Sequence, residues 1–375
     1  ILLPSMSKEL NLSPVQQGWL GSSTMMASVV LGIPLSWWLS KWNAKLLTLA
    51  VMGIAALSTF IQALAPTFAI LLMARILFGG SIITLQPARS MVVRQWTSPK
   101  HIIGVNGTIS GLVAWGVGVG LILTPFVLGG LGGDWRKALY VFGFIIVGVA
   151  LIWLVLGKTR TVSEPKVSHQ AHGGSPLGVL LRNPQLWIGG LIGLSAEAVG
   201  VAFLTFLPTY LLEEQAISLK VAGPLLGLYY ILLGASTFLV SFFAVRYLDR
   251  RLIFFLSGLL LGGGGFALLT TDSIPLLVLY VFVMGLGSGI WGIIQSIPFE
   301  IPGIKPREVV IAYTFVEICI WSGGILGPVI VGFLQEATQS LFVALATITA
   351  FSIFMLLGSL LLPVPQARPQ PANGA

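Results

Sequence analysis

Long apolar runs alternate with short polar gaps along almost the whole chain. Runs of about 20 apolar residues are long enough to cross the hydrocarbon layer as helices. They fall at roughly 16–39, 46–65, 67–93, 102–128, 138–157, 186–212, 221–245, 252–271, 275–299, 308–333 and 340–362, so the pattern predicts eleven spans. Helices are required because backbone groups facing lipid must be paired within their own segment, and the runs are about twice the length of a membrane barrel strand. The gaps carry a second pattern. Fourteen of the twenty lysines and arginines lie in every second gap: Lys41 and Lys45, Arg94 and Lys100, Lys158 to Arg182, Arg246 to Arg251, Lys305 and Arg307, and Arg368. The gaps between hold only Lys8, Arg136, Lys137 and Lys220. Basic residues near helix ends stay on the cytoplasmic side, so the alternation predicts which ends face inward.

Composition agrees with this reading. A chain that is 56% hydrophobic and 9% charged falls far below the roughly 25% charged residues of a soluble domain, and it needs lipid as its solvent. The net charge of +8 does not point to nucleic acid, because the basic residues are spread one or two to a loop instead of forming a patch. The lone cysteine, Cys319, excludes a disulfide framework and a thiolate metal cluster. Trp37, Trp38, Trp42, Trp96 and Trp135 sit near run ends, where an interfacial belt would place them. His169 and His172 lie in a Ser/Gly/Pro-rich stretch with no third ligand, and neither a metal site nor a cofactor site is expected.

The one long polar stretch, 158–185, divides the chain nearly in half and reads as a cytoplasmic linker. A constant shift of 206 residues superposes Leu20-Gly21 on Leu226-Gly227, Lys45-Leu46 on Arg251-Leu252, Gly79 on Gly285, Trp115 on Trp321, and Gly118 on Gly324. An ungapped register held over four helix pairs predicts a duplication. On that register the run at 186–212 lacks a complete mate, and the initial Ile-Leu-Leu-Pro-Ser reads as the tail of a missing first helix. The expected organisation is an N-terminal bundle at 1–157, the linker, a C-terminal six-helix bundle at 186–362, and a cytoplasmic tail at 363–375. Twelve helices in the intact protein would put both termini in the cytoplasm.

Two parallel six-helix halves joined by a cytoplasmic loop resemble the major facilitator superfamily, and local residues carry the same resemblance. Its loop after the second helix has a Gly-x-x-x-Asp-Arg-x-Gly-Arg-like motif. Here Ser40, Lys41 and Lys45 hold that place without the acid, and Arg246 to Arg251 holds the second-half counterpart with Asp249, Arg250 and Arg251. The resemblance implies a gating role for these loops. Arg75-Ile-Leu-Phe78-Gly79-Gly80 is similar to the family's fourth-helix signature, and Pro87 to Trp96 resembles the end of that helix in cyanate and organic-anion permeases. Gly111, Gly116, Gly118, Gly120 and Pro125 echo a Gly/Pro motif of the fifth helix, with Gly323, Gly324, Gly327 and Pro328 at its repeat mate. Trp135-Arg136 also resembles the family's sequence outside the sixth helix. The resemblance implies an all-α integral membrane protein of this fold, monomeric, in a bacterial inner membrane, that moves a small molecule or ion.

Ionisable groups inside spans cost several kcal/mol unless paired or hydrated, and so mark function. Arg75, Arg89, Glu197 and Glu317 qualify. A carboxyl group buried there favours its neutral form and can take up a proton, whereas an arginine stays charged and can bind an anion or pair with the acid. A structural Arg–Glu pair is the competing reading for Glu197, Glu317 and Arg75, and an ordinary snorkelling arginine is that for Arg89. The resemblance places Glu197 and Glu317 on cavity-lining helices and adds Tyr229, Trp291, Gln295 and Trp321 as further lining; Gln62, Gln86, Asn106 and Tyr230 are other polar or amphipathic candidates. No enzyme is expected: no histidine is intramembrane, and Gly287-Ser288-Gly289 lacks a base partner. The expected function is secondary transport by alternating access of a small inorganic or organic anion, with proton coupling. The alternative is proton-driven efflux of apolar compounds.

Overall fold

The computed structural model describes residues 1–39, 43–97, 102–158, 182–241, 248–299, 301 and 306–362. Among these residues it is entirely helical, with no strand. A short α1 (Leu3–Leu10) precedes α2 (Pro14–Leu39), α3 (Ala44–Leu64), α4 (Phe68–Trp96), α5 (Ile102–Gly130) and α6 (Trp135–Leu156). Beyond the linker come α7 (Pro184–Glu213), α8 (Leu219–Leu239), α9 (Arg250–Leu269), α10 (Ile274–Gly287), α11 (Trp291–Ser296) with a 3-10 turn at Ile297–Phe299, α12 (Pro306–Thr338), α13 (Leu341–Thr349) and α14 (Ser352–Leu361). Nine helical stretches among the described residues are long and apolar enough to cross a membrane. The runs expected at 16–39 and 67–93 form helices of 26 and 29 residues but are not among those nine. Lys41 and most of the linker lie outside the described residues, as do the side chains of Trp37, Trp38, Trp42, Gln86, Arg94, Asn106 and Arg307.

Helix starts recur at the 206-residue spacing. Asn43 caps α3 by accepting from the Lys45 amide, and 206 residues on Asp249 caps α9 by accepting from the Arg251 amide. Thr67 and Ser273 hold the N-cap positions of α4 and α10, as Asp134 and Ser340 hold those of α6 and α13. The side chains of Thr67, Asp134 and Ser340 accept from amides that have no partner within the helix, whereas Ser273 makes no such bond. Packing repeats as well. α4 lies against α2 and α3, as α10 lies against α8 and α9, and the two halves meet where α2 packs on α12 and α5 on α8. These last two pairs exchange under the 206-residue shift. Large apolar side chains such as Leu46, Leu156 and Leu361 are exposed at 60%, 69% and 69%, which suits a surface solvated by lipid tails.

Two expected spans are interrupted. The run at 275–299 breaks at Ser288–Ile290, between α10 and α11, and the run at 340–362 breaks at Ala350-Phe351.

Trp135 is not an interfacial belt residue. Its side chain is only 1% exposed, and its indole N–H donates to Glu9 Oε2 at 2.6 Å. Arg136 donates to Glu9 Oε1 at 2.9 Å and, through Nη1, to the carbonyls of Ala63 and Ala65 at 2.8 Å each. Its guanidinium also lies over the Trp135 ring, 4.3 Å from the centroid. One arginine therefore caps the C-terminus of α3 and ties it to α1 and α6. Gly132 and Gly133, with φ of 71° and 80°, make the turn that delivers it, a conformation that L side chains adopt at a cost. The backbone amides of Lys137 and Arg136 hold the Asp134 carboxyl below the usual carboxylate range. Its capping contribution is therefore complete at neutral pH and is lost as the pH falls through that lowered value.

Charge-assisted bonds contribute roughly 1.5–3 kcal/mol each before entropy is counted. Arg136→Leu is expected to destabilise the protein by about 2–4 kcal/mol on that basis, read as a lower Tm in detergent. Lys137→Leu should change Tm little, because that exposed side chain makes only a 3.3 Å pair with Asp134 and exposed pairs contribute at most about 1 kcal/mol. Equal losses in the two variants would refute the clip.

Candidate functional site

The two membrane acids lie on α7 and α12. Glu197 lies mid-way along α7, a helix buried over most of its length. It lines a cavity of about 180 Å³ with Gly200, Tyr229, Tyr230, Ser288 and Trp291 among its walls. Gly324 of α12 lets the Glu197 stem lie flat, since a Cβ there would come within 3.3 Å of Glu197 Cγ. The break between α10 and α11 sits on the same cavity. Ser288 donates its hydroxyl to the Met284 carbonyl at 2.9 Å, so the 2.8 Å bond between Tyr229 and Ser288 is one in which the tyrosine donates. The Ser288 hydroxyl is thus committed to structure. Tyr230 meets Tyr229 edge-on, with ring centroids 5.5 Å apart.

Beyond the break, α11 presents Gln295, whose amide donates to Glu317 Oε1 at 2.8 Å. Tyr313 and Trp321 lie one turn before and one turn after Glu317 on α12. Residues 313, 317 and 321 are spaced four apart and share one face of α12. The charge of Glu317 acts on Glu197 across the site, and that of Arg89, from α4, reaches Tyr313. Glu197, Tyr229, Tyr230 and Trp291 thus line one cavity, and Glu317, held by Gln295, lies within electrostatic reach of Glu197.

Arg75 does not join them. Its Nε donates to Ser23 Oγ at 3.2 Å, and Ser23 in turn donates to the Leu20 carbonyl at 2.6 Å, so Arg75 links α4 to α2. Among the described residues neither Glu197 nor Glu317 is in an ion pair, which leaves the Arg–Glu lock unformed. Gln62 is buried in α3, within the first half. Of the loop residues, Lys45 and Asp249 stand at helix starts, and Arg251 donates through Nε to the Leu362 carbonyl at 2.6 Å.

Tyr313 and Ser288 escaped the sequence reading as members of this site. The four-residue spacing of Tyr313, Glu317 and Trp321 was the available signal for the first. Ser288 had none, because its partner lies 59 residues away.

Residues 1–303 match the sequence profile of the Major Facilitator Superfamily. The chain belongs to this family. Among its curated relatives, the "Hexuronate transporter" of Bacillus subtilis (strain 168) is 25% identical over 364 residues, covering 90% of this chain and 83% of that protein. The "Probable galactarate/D-glucarate transporter GudP" of the same organism is 25% identical over 407 residues, covering 97% of this chain and 87% of that protein. Solved superfamily structures share the fold. A bacterial homolog of the human lysosomal transporter Spinster, in an inward-facing and unoccupied conformation, matches with a TM-score of 0.76 at 18% identity, covering 96% of this chain and 90% of that one. The nucleoside transporter NupG matches with a TM-score of 0.73 at 18% identity, covering 95% and 92%. As a superfamily member the protein is a multi-pass membrane transporter and not an enzyme.

Proposed function

We propose that this superfamily member is a proton-coupled carrier of a small organic acid in the hexuronate and aldarate range, working by alternating access between halves 1–157 and 186–362. In this reading eleven spans cross the membrane, and the ends rich in Lys and Arg face the cytoplasm of a bacterial cell. The loops at Lys41, Lys45, Asp249, Arg250 and Arg251 brace the inner ends of the helices.

The observation that carries the proposal is the pair of membrane carboxylates, with Glu197 on an aromatic-lined cavity, Glu317 within electrostatic reach of it, and Arg89 acting on the neighbouring Tyr313. An anion entering beside an ionised Glu197 meets like-charge repulsion, about 4 kcal/mol at 4 Å and an effective dielectric constant near 20. A proton on Glu197 removes that repulsion, so acid and proton enter together. Arg89 supplies the opposite charge, and Gln295, Trp321 and the tyrosines offer the bonds and flat faces that a hydroxylated acid uses. The curated relatives named for hexuronate and for galactarate/D-glucarate support the same substrate class.

The test is uptake by full-length protein in proteoliposomes. Labelled D-glucuronate is expected to enter saturably, faster under an inward proton gradient, and to show counterflow. Unlabelled galactarate should compete and glucose should not. Unsaturable flux, or proton-driven expulsion of an apolar dye with no acid transport, would replace this reading.

A further inference from the structure

We propose that the two carboxylates divide the labour of coupling: Glu317 is a fixed anion held by Gln295, and Glu197 alone exchanges the proton, which makes Gln295 a positioning residue. This rests on the reading of the chain as a proton-coupled carrier.

The hydrogen-bond inventory separates the two acids. Glu317 accepts the Gln295 amide at 2.8 Å, with Tyr313 one turn before it and Trp321 one turn after it on α12. An ionised carboxylate is an acceptor only, and a donor held against it favours that form. Glu197 accepts no hydrogen bond from any described residue, yet it lines the cavity, so its oxygens are free to carry a proton or to meet a substrate. The titratable and charged groups around the pair are Tyr229 and Tyr230 of α8, Tyr313 of α12, and Arg89 of α4. Two carboxyl groups in contrasting environments at one site are a recurring way of giving one the fixed charge and the other the proton. The step is a bare proton transfer: water on one side gives a proton to a Glu197 oxygen, and after the halves rock that proton leaves to water on the other.

Gln295 reaches Glu317 from beyond the break at Ser288–Ile290. The clamp therefore joins the short α11 to α12, and losing it would release the fixed charge without touching either acid.

The test is pH-difference infrared spectroscopy of the purified full-length protein, read in the C=O stretch of protonated carboxyl groups. A protonated-acid component is expected in the wild type, absent in Glu197→Gln and retained in Glu317→Gln. In Gln295→Leu it should persist with its midpoint displaced by at least about half a pH unit, near 0.7 kcal/mol; a merely structural role for Gln295 would leave the midpoint in place. Loss of the component in Glu317→Gln with retention in Glu197→Gln, loss in both, or its absence from the wild type would each overturn the proposal. If D-glucuronate is not transported while the infrared pattern holds, the substrate reading fails and this division of roles stands.

Discussion

Gly227→Leu is expected to cripple transport while Gly120→Leu leaves it near normal. At residue 227 the backbones of α5 and α8 are in contact, and a Cβ there would lie 2.6 Å from the Gly118 carbonyl oxygen and press into Ile122. The reciprocal approach is as tight, with a Cβ at residue 118 falling 2.8 Å from the Gly227 carbonyl. Small residues at such crossings let helices touch through their backbones, and that contact is the main source of cohesion where lipid provides no hydrophobic drive between helices. Overpacking costs about 1–3 kcal/mol. Applied to the closed contact of α5 with α8, that is a roughly 5- to 150-fold slowing of any cycle that must form it. A Cβ at Gly120 meets nothing within 4 Å, so the control adds bulk to α5, the other helix of the pair, without crowding α8. Initial uptake rates of the two variants, at matched amounts in proteoliposomes, decide the matter. A Gly227→Leu protein as fast as the wild type would show that this contact does not have to close during transport.

The second large effect is expected from Glu197→Gln. A gradient of one pH unit is worth about 1.4 kcal/mol, so each coupled proton allows roughly tenfold accumulation of substrate. The amide keeps the shape of the side chain but cannot gain or lose a proton. Wild-type vesicles should concentrate labelled D-glucuronate about tenfold under such a gradient, whereas Glu197→Gln vesicles should only equilibrate it. Exchange of internal for external substrate should survive, since it needs no net proton movement. Accumulation by the variant at the wild-type level would remove Glu197 from the coupling step.

Much of this architecture was legible in the sequence because a membrane helix must be apolar and of fixed length. The predicted runs match the observed helices to within a few residues at most ends, and the 206-residue register reappears in caps such as Asn43 and Asp249. The charged members of the site were legible for the same reason: an acid in an apolar run stands out. Relations set by tertiary packing were not. Glu9 and Trp135 are 126 residues apart, and nothing local to Trp135 distinguishes a buried clip from a belt residue. Arg75 finds a serine 52 residues away instead of a carboxylate, a choice made by how α2 lies against α4. The interruption at Ser288–Ile290 was hidden because glycine and serine are as common in continuous membrane helices as in broken ones. Tyr313 carries no charge to set it apart in an apolar run, and only its four-residue spacing from Glu317 marks it.

The pairing of α5 with α8 also bears on how the chain is made. Among the described residues α5 packs on α8 far more than on its neighbours α4 and α6, yet α8 follows it by nearly ninety residues. At about 5–20 residues per second of synthesis, α5 waits roughly 5–20 s in the bilayer for its main partner. During that interval Gly118 and its neighbours face lipid or other chains, and the first half cannot settle as an independent unit. A defect anywhere between 131 and 239 that delays α8 would then act through α5, and quality-control proteases would meet it as an orphaned helix in a half-built protein.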